Sequence, residues 1–457
     1  MPLSLAAAVL ALAAAQSAAS PPSTPSVGST PPVSRVDAQG VSHTVPPDQE
    51  TEQEGTPPES RAAIPVLPSG SPGRENRPNM ELGANLQFRT RTFRTEGGST
   101  SAYLDLELTP GAAVNADVGA WTFALGYAPR LTLPELSQGQ PLQVLNSATA
   151  QVIWRTTPAW TLVAQASGSY GDQNQLSPTT SPGTPPAPGN PGTPPTPVTS
   201  FAVYRYIGLS AWLRAAGQLS ASTTLRLSAG YTDVGGLGDA GQAAQPRTWG
   251  PLGAASLEVD LSARDRLTTT LSGQLARFVP GSSVQMGTLT EAYRWRAVRG
   301  MELVFTGGAA LTSTTPITKL AVGHVLPVLN ASLVFSSWER ARQPLRVNVE
   351  LGLGPYIDPV VQVAYQRVVT ALGVEWRPSE AWVLSGTFSG ALVPYSDQPT
   401  QTYGSAGVAG GFIPWRWFQL NASVSASRQL QGAIPYADNF SQFTFLFSAT
   451  LRDVFYF

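Results

Sequence analysis

From about residue 79 onward the chain alternates apolar and polar residues in short runs with a period of two. In "FQLNASVSAS", Phe418, Leu420, Ala422, Val424 and Ala426 occupy one parity, and Gln419, Asn421, Ser423, Ser425 and Ser427 the other. "LRVNVELGL" sets Leu345, Val347, Val349 and Leu351 against Arg346, Asn348 and Glu350, and "YLDLELT", "TLRLSAGY", "SLEVDLS" and "LTTTLSGQL" repeat the pattern. Successive side chains of a strand point to opposite faces, so each run predicts a strand with one greasy and one polar face. No segment sustains a helical period. The pattern runs to the last residue. In "QFTFLFSATLRDVFYF", Phe443, Phe445, Phe447, Ala449, Leu451, Phe455 and Phe457 share one parity, while Gln442, Thr444, Ser448, Thr450 and Arg452 share the other.

Such strands also suit a soluble sandwich, and the connections decide between the two. Short ones ("TTPAW" 156–160, "LSARDR" 261–266, "AVRGME" 297–302, "WRPSEAW" 376–382, "IPWRW" 413–417) alternate with longer polar stretches at 171–200, 235–247, 312–322, 395–402 and 429–440. Short turns at one end and long loops at the other characterise membrane barrels, whose short turns face the periplasm. The expectation is an all-β, antiparallel up-and-down transmembrane barrel over residues 79–457. About 18 strands fit best, with 16 as the alternative count. Tryptophan supports this reading. Trp121, Trp154, Trp160, Trp295, Trp338, Trp376, Trp382, Trp415 and Trp417 all fall beside the short turns, as an interfacial aromatic girdle requires. Trp249 falls at the other end.

Composition agrees. Only 12% of residues are charged, half of what a soluble domain averages, yet mean hydropathy is near zero. The one long apolar run, "LSLAAAVLALAAA", lies at the N-terminus. Residues 1–19 read as a secretory signal peptide, without the usual basic residue ahead of the run. Residues 20–78, rich in Pro, Ser and Thr and nearly free of aromatics, read as a disordered periplasmic arm that cannot offset its ordering entropy.

The terminal pattern resembles the closing strand of Gram-negative outer-membrane β-barrel proteins, which end on Phe with hydrophobic residues at alternate positions before it. The resemblance covers residues 79–457. It implies integral outer-membrane localisation, contact with outer-membrane lipid, and Phe455 and Phe457 as part of the signal read by the barrel assembly machinery. Asp453 departs from the pattern, standing where that family has an apolar residue.

Candidate chemistry is sparse. The chain holds no cysteine and two histidines, His43 in the arm and His324 beside an expected outer loop. A lone loop histidine serves more often as a solvated residue than as a catalytic base. No zinc spacing, phosphate loop or nucleic-acid patch appears, so no catalytic residue, cofactor, metal ligand or nucleic-acid partner is assigned. Paired acids at Asp105/Glu107 and Glu258/Asp260 could hold Ca²⁺, but their spacing puts them on the polar face, where they line a channel. Alternation places Arg89, Arg91, Arg130, Arg155, Arg214, Arg226, Arg294, Arg296, Arg346, Arg377 and Arg452 on that pore-lining face, with Asp105, Glu107, Glu258, Asp260, Glu302, Glu350 and Glu375. Arginine is in excess there. Arg155, Arg214, Arg226, Arg294, Arg296, Arg346, Arg377 and Arg452 lie toward the short turns.

A barrel of this size encloses a water-filled lumen. The arm is too short for the plug of an energised nutrient receptor, and the Pro-rich loop 176–200 is a stiff external brush rather than a charged eyelet. Ser, Thr, Gln, Asn and Gly lining suits a hydroxyl-rich chain sliding over many weak, interchangeable hydrogen bonds. By size and lining the barrel is similar to stand-alone porins of polysaccharide secretion, such as alginate-export-type barrels. That likeness implies polysaccharide cargo and a periplasmic export protein contacting the arm or the short turns. A general solute diffusion porin is the alternative, with a barrel enzyme, adhesin or structural barrel behind it.

Overall fold

The computed structural model describes residues 33–36, 42–45 and 78–456, apart from 96–99, 135–140, 175–202, 280, 299, 316–321, 338–343, 359–361, 380, 395–400, 416 and 431–439. The expected signal peptide, most of the arm, the brush at 176–200, Trp338 and Phe457 lie outside the described residues. Within the arm, Val33–Val36 pairs antiparallel with Ser42–Val45. The β-branched residues Val33, Val36, Thr44 and Val45 favour extension there, in a segment whose composition predicts disorder.

The remainder is one closed barrel of 18 antiparallel strands. The first six are β1 (Asn79–Thr95), β2 (Thr100–Val118), β3 (Trp121–Tyr127 continued by Arg130–Leu133), β4 (Gln143–Thr157), β5 (Trp160–Asn174) and β6 (Val203–Ser220). Then come β7 (Thr223–Leu237), β8 (Thr248–Asp260), β9 (Asp265–Phe278), β10 (Ser283–Val298), β11 (Met301–Thr315) and β12 (Val322–Ser336). The last six are β13 (Leu345–Asp358), β14 (Val363–Ser379), β15 (Trp382–Val393), β16 (Gln401–Trp415), β17 (Phe418–Leu430) and β18 (Phe440–Tyr456). A short helix of about two turns, α1 (Gly238–Ala244), sits in the β7–β8 connection. These strands correspond one for one to the runs of alternation. Pro129, which has no N–H to donate, divides β3 without changing its register: Tyr127 faces Ala112 and Leu131 faces Leu108.

Closure follows from β18. Tyr456 pairs with Asn79 and the ladder continues unbroken to Phe440 opposite Thr95, so neither terminal strand leaves a free edge. The C-terminal alternation puts Phe443, Phe445, Phe447, Leu451 and Phe455 on the outside, each substantially exposed. The same holds around the wall, where Leu213, Val325 and Val408 are 63%, 67% and 65% exposed. A water-soluble sheet would bury these side chains. On this wall hydrocarbon is their solvent.

Hairpin geometry separates two rims. Turns 119–120, 158–159, 221–222, 299–300, 380–381 and 416–417 share one rim, together with 261–264 and 337–344. The longer connections share the other, although 96–99, 279–282 and 359–362 there are also short. Strand spacing of about 4.8 Å and a tilt of about 40° give 18 strands a backbone diameter of roughly 35 Å. Side chains of the wall alone therefore cannot fill the interior.

The two faces differ in tolerance. Leu213→Arg, on the outer face near mid-strand, is expected to cost about 2–4 kcal/mol and to deplete the compact, fast-migrating band of an unboiled gel. Ser210→Arg, on the opposite parity, should leave that band intact.

Candidate functional site: the barrel lumen

Inter-strand register puts every charged residue assigned above to the polar face on the inward side. Arg89 lies across from Asp105 and Gln87 from Glu107. Arg226 and Glu258 flank the β7–β8 ladder, Arg296 opposes Glu302, and Arg346 opposes Glu375. Neighbouring strands convert this parity into ion pairs. Glu258 accepts from both Arg226 and Arg266 at 3.0 Å, and Arg266 also holds Asp260 at 2.5 Å and 3.2 Å through two nitrogens. Glu302 is shared by Arg294 at 3.6 Å and Arg296 at 3.3 Å. Arg377 binds Glu375 on its own strand at 3.1 Å. Arg452 reaches Glu81 across the closing seam at 3.1 Å, and Arg91 pairs with Asp105, both almost fully buried. Among the described residues, Arg155, Arg214 and Arg346 have no carboxylate partner. The Arg214 guanidinium packs over the Trp212 ring at 5.3 Å.

The acids Asp105, Glu258 and Asp260 are thus neutralised by guanidinium groups rather than presented to a cation. No group of three or more metal-ligating side chains occurs among the described residues. His324 is exposed at the start of β12, where its carbonyl accepts from Thr312 Oγ1 at 3.3 Å.

Two members of the network escaped the sequence reading. Arg266 sits in "LSARDR", which looks like a turn, although the polar parity of Thr268, Thr270 and Ser272 runs straight back to it. Glu81 opens β1 on the same parity as Asn85 and Gln87. Between the charged groups the wall is hydroxyl-rich. Serines face one another across strands in Ser147–Ser169 at 3.0 Å, Ser167–Ser210 at 2.7 Å and Ser389–Ser405 at 2.6 Å.

Outside, the tryptophans gather at the short-turn rim. Trp121 and Trp154 are register partners and stack at 4.8 Å, and Trp415 stacks on Trp417 at 5.2 Å. Trp382 meets Phe412 at 4.7 Å, and Trp295 and Trp376 lie on the same outer face. Trp160 lies flat over Gly217, where any Cβ would come within 2.4 Å of the indole. Trp249 is at the opposite rim, beside Arg247 at 5.7 Å.

The β12–β13 ladder ends at Leu329–Leu353, and the β14–β15 ladder begins at Val368–Leu392. Between them the β13–β14 ladder continues alone to Asp358–Val363. This two-stranded tip leaves the wall and folds inward. Ile357 and Ala364, register partners on the parity that faces lipid lower down, join a cluster with Ala276, Phe278 and Val284 from the inner face of β9 and β10. Phe278 and Val284 are fully buried by this contact. The tip's other face packs Tyr356, backed by Tyr365, on Val393 of β15, with the Arg367 guanidinium 4.4 Å from the Tyr356 ring. At the turn, Gln362 adopts φ 59°. Its side chain meets Ser282 and donates to the Val279 carbonyl at 3.3 Å. Two strands span about 10 Å, so the tip narrows a lumen of this diameter without sealing it.

Arg266 carries the densest part of the wall lattice. Arg266→Met is expected to cost about 1–3 kcal/mol of unfolding free energy in detergent, because Glu258 and Asp260 lose their shared donor. Adding Glu258→Gln and Asp260→Asn should recover part of that loss, as a mutant cycle by urea titration would record.

The fold is similar to that of Pseudomonas aeruginosa OccK2 (12% identity, 82% of this chain and 98% of that one, TM-score 0.44). It is also similar to the Pseudomonas aeruginosa outer membrane protein OpdK (10% identity, 83% and 100%, TM-score 0.44). The FrpB iron transporter from Neisseria meningitidis aligns at 8% identity and TM-score 0.50, over 78% of this chain and 62% of that one. No protein with a curated description matches. A family model for exopolysaccharide export matches residues 83–438, nearly the whole barrel. The chain is an integral outer-membrane barrel and belongs to the EpsX exopolysaccharide export family.

Proposed function

We propose that the barrel conducts an acidic exopolysaccharide from the periplasm to the cell surface, entering at the short-turn rim. The observation that carries this reading is the arginine excess on the inner face near that rim, within a wall otherwise lined by hydroxyl and amide groups. Many weak hydrogen-bond sites let a polymer advance without a deep trap. A net positive mouth concentrates polyanions arriving from the periplasm, with a strength that falls as salt rises. Arg155, Arg214 and Arg346 contribute most to this field, because the other rim arginines share carboxylates. Arg294 and Arg296 still leave one net charge, since both lean on Glu302. The arm at 20–78 and the short turns are the surfaces open to a periplasmic export protein. Phe455 and the terminal aromatics are the segment that the barrel assembly machinery would read. No catalytic step is assigned to any of these groups.

Deleting the gene should abolish the surface polysaccharide while leaving its synthesis genes and small-sugar uptake unchanged. Normal surface glycan with reduced uptake would favour a diffusion porin instead. In planar bilayers under a salt gradient the channel should show weak anion preference, diminished in Arg294→Gln/Arg296→Gln. A cation-selective wild-type channel would remove the charged-mouth reading and leave the barrel untouched.

A further inference from the structure

The inward tip has a cause that can be read from backbone hydrogen bonding. In the β12–β13 ladder Ser336 faces Arg346 and Leu329 faces Leu353 without a register shift. Two rungs further, the same register would set Pro327 opposite Pro355. Ser337 donates its N–H to the Leu345 carbonyl across this ladder, whereas Ser336 donates to Gly300 on the other side. Antiparallel rungs alternate, so the odd residues of β12 and β13 exchange hydrogen bonds with each other. Pro327 and Pro355 would therefore meet at a bonding rung with two carbonyls and no N–H. Proline is excluded from such positions, and pairing ends at the last rung before the Gly354–Pro355 step. The orphaned Pro327 carbonyl then receives a donor from the folded hairpin itself, Gln366 Nε2 at 2.8 Å.

We infer that the β13–β14 tip is a displaceable gate across the lumen, kept out of the wall by the facing prolines Pro327 and Pro355 and latched inward by Gln362 against the β9–β10 turn. The attachments are unequal in strength. Below Leu353 and Val368 both strands of the hairpin are laddered on each side. Above, the described contacts of the tip are side-chain ones, among them the cluster around Phe278, the packing of Tyr356 on Val393, and the side-chain bonds of Gln362 and Gln366. Local opening free energy follows such contact density, so the tip opens before the wall does. Gly354 lies at the departure point, with nothing within 4 Å of where a Cβ would stand, and provides freedom to hinge. A hydroxyl-rich chain entering the lumen offers replacement partners for the Gln362 and Gln366 amides, so displacement by cargo loses little hydrogen bonding. The assignment of polymer as the displacing cargo rests on the export reading. The gate itself does not.

The native chain has no cysteine, so Ser282→Cys/Gln362→Cys introduces a single possible disulfide at the latch. Full-length protein carrying this pair should form a small, steady conductance in planar bilayers when oxidised. Dithiothreitol should raise the conductance and bring open–closed transitions, and cells should export polymer only under reducing conditions. Pro327→Val/Pro355→Val restores both donors and should let the tip zip into the wall, giving a larger, steady conductance and admitting small solutes. The compact unboiled gel band checks that each variant folds. Equal conductance of the oxidised and reduced latch variant, with no increase in the double valine variant, overturns the gate. A latch that holds conductance low while export continues supports the gate and removes the polysaccharide as its cargo.

Discussion

The backbone of a membrane-spanning sheet has no water to bond with, so every N–H and C=O must find a partner in the next strand. That requirement organises this molecule. It forces β18 onto β1 over the whole length from Phe440 to Tyr456, and it keeps 18 strands in register although their sequences are rich in the small residues Ser, Thr, Ala and Gly. It also explains the place where the wall is interrupted. At Pro327 and Pro355 the ladder has carbonyls without donors, and the hairpin beyond them folds into the lumen, where polar groups of the wall and water can satisfy them. The exception to the rule and the narrowing of the channel are the same event.

Inside, a second constraint operates. Charged side chains on a water-facing wall are tolerated at low cost, but a cargo-conducting wall must not present isolated strong sites. The Arg226–Glu258–Arg266–Asp260 lattice, the Glu302 pair and the Arg452–Glu81 seam meet this by pairing charges along the wall. These pairs hold neighbouring strands together. Two cations without a carboxylate partner among the described residues then stand out. Arg214 spreads its charge over the Trp212 ring, and Arg346 looks across at a Glu375 already engaged by Arg377.

Much of this was legible in the sequence because a strand's period of two is a hard geometric fact. Eighteen alternating runs became 18 strands. What parity could not show is where a strand stops belonging to the wall. "LGLGPYID" keeps alternating through the departure point, and side-chain parity is the same whether β13 pairs with β12 or not. The information was in Pro355, but only register with Pro327, some 28 residues away in the chain, turns one proline into a missing rung. Loop length is a poor guide to the constriction. The Pro-rich stretch at 176–200 drew notice as the longest connection, whereas the lumen is narrowed by a hairpin whose turn, 359–362, is among the shortest on its rim. Arg266 was hidden by a related error, since a basic residue beside a tight turn reads as solvated until its strand is extended by one rung.

A constriction made from the wall's own strands differs physically from one made by a long loop. A loop contributes flexible side chains to a fixed opening, and its own conformational entropy opposes holding any one shape. A paired hairpin moves as one body, keeps its internal hydrogen bonds in either position, and exchanges only the contacts at its tip. The open state therefore forgoes the Phe278 cluster and a few side-chain bonds, not a ladder. For a diffusing sugar such an element is a standing obstacle. For a polymer, whose later residues follow the first through the displaced tip, the cost of opening is met once per chain and shared over its whole length. That asymmetry suits a lumen to export of long chains, and it arises here from two prolines that cannot form one rung.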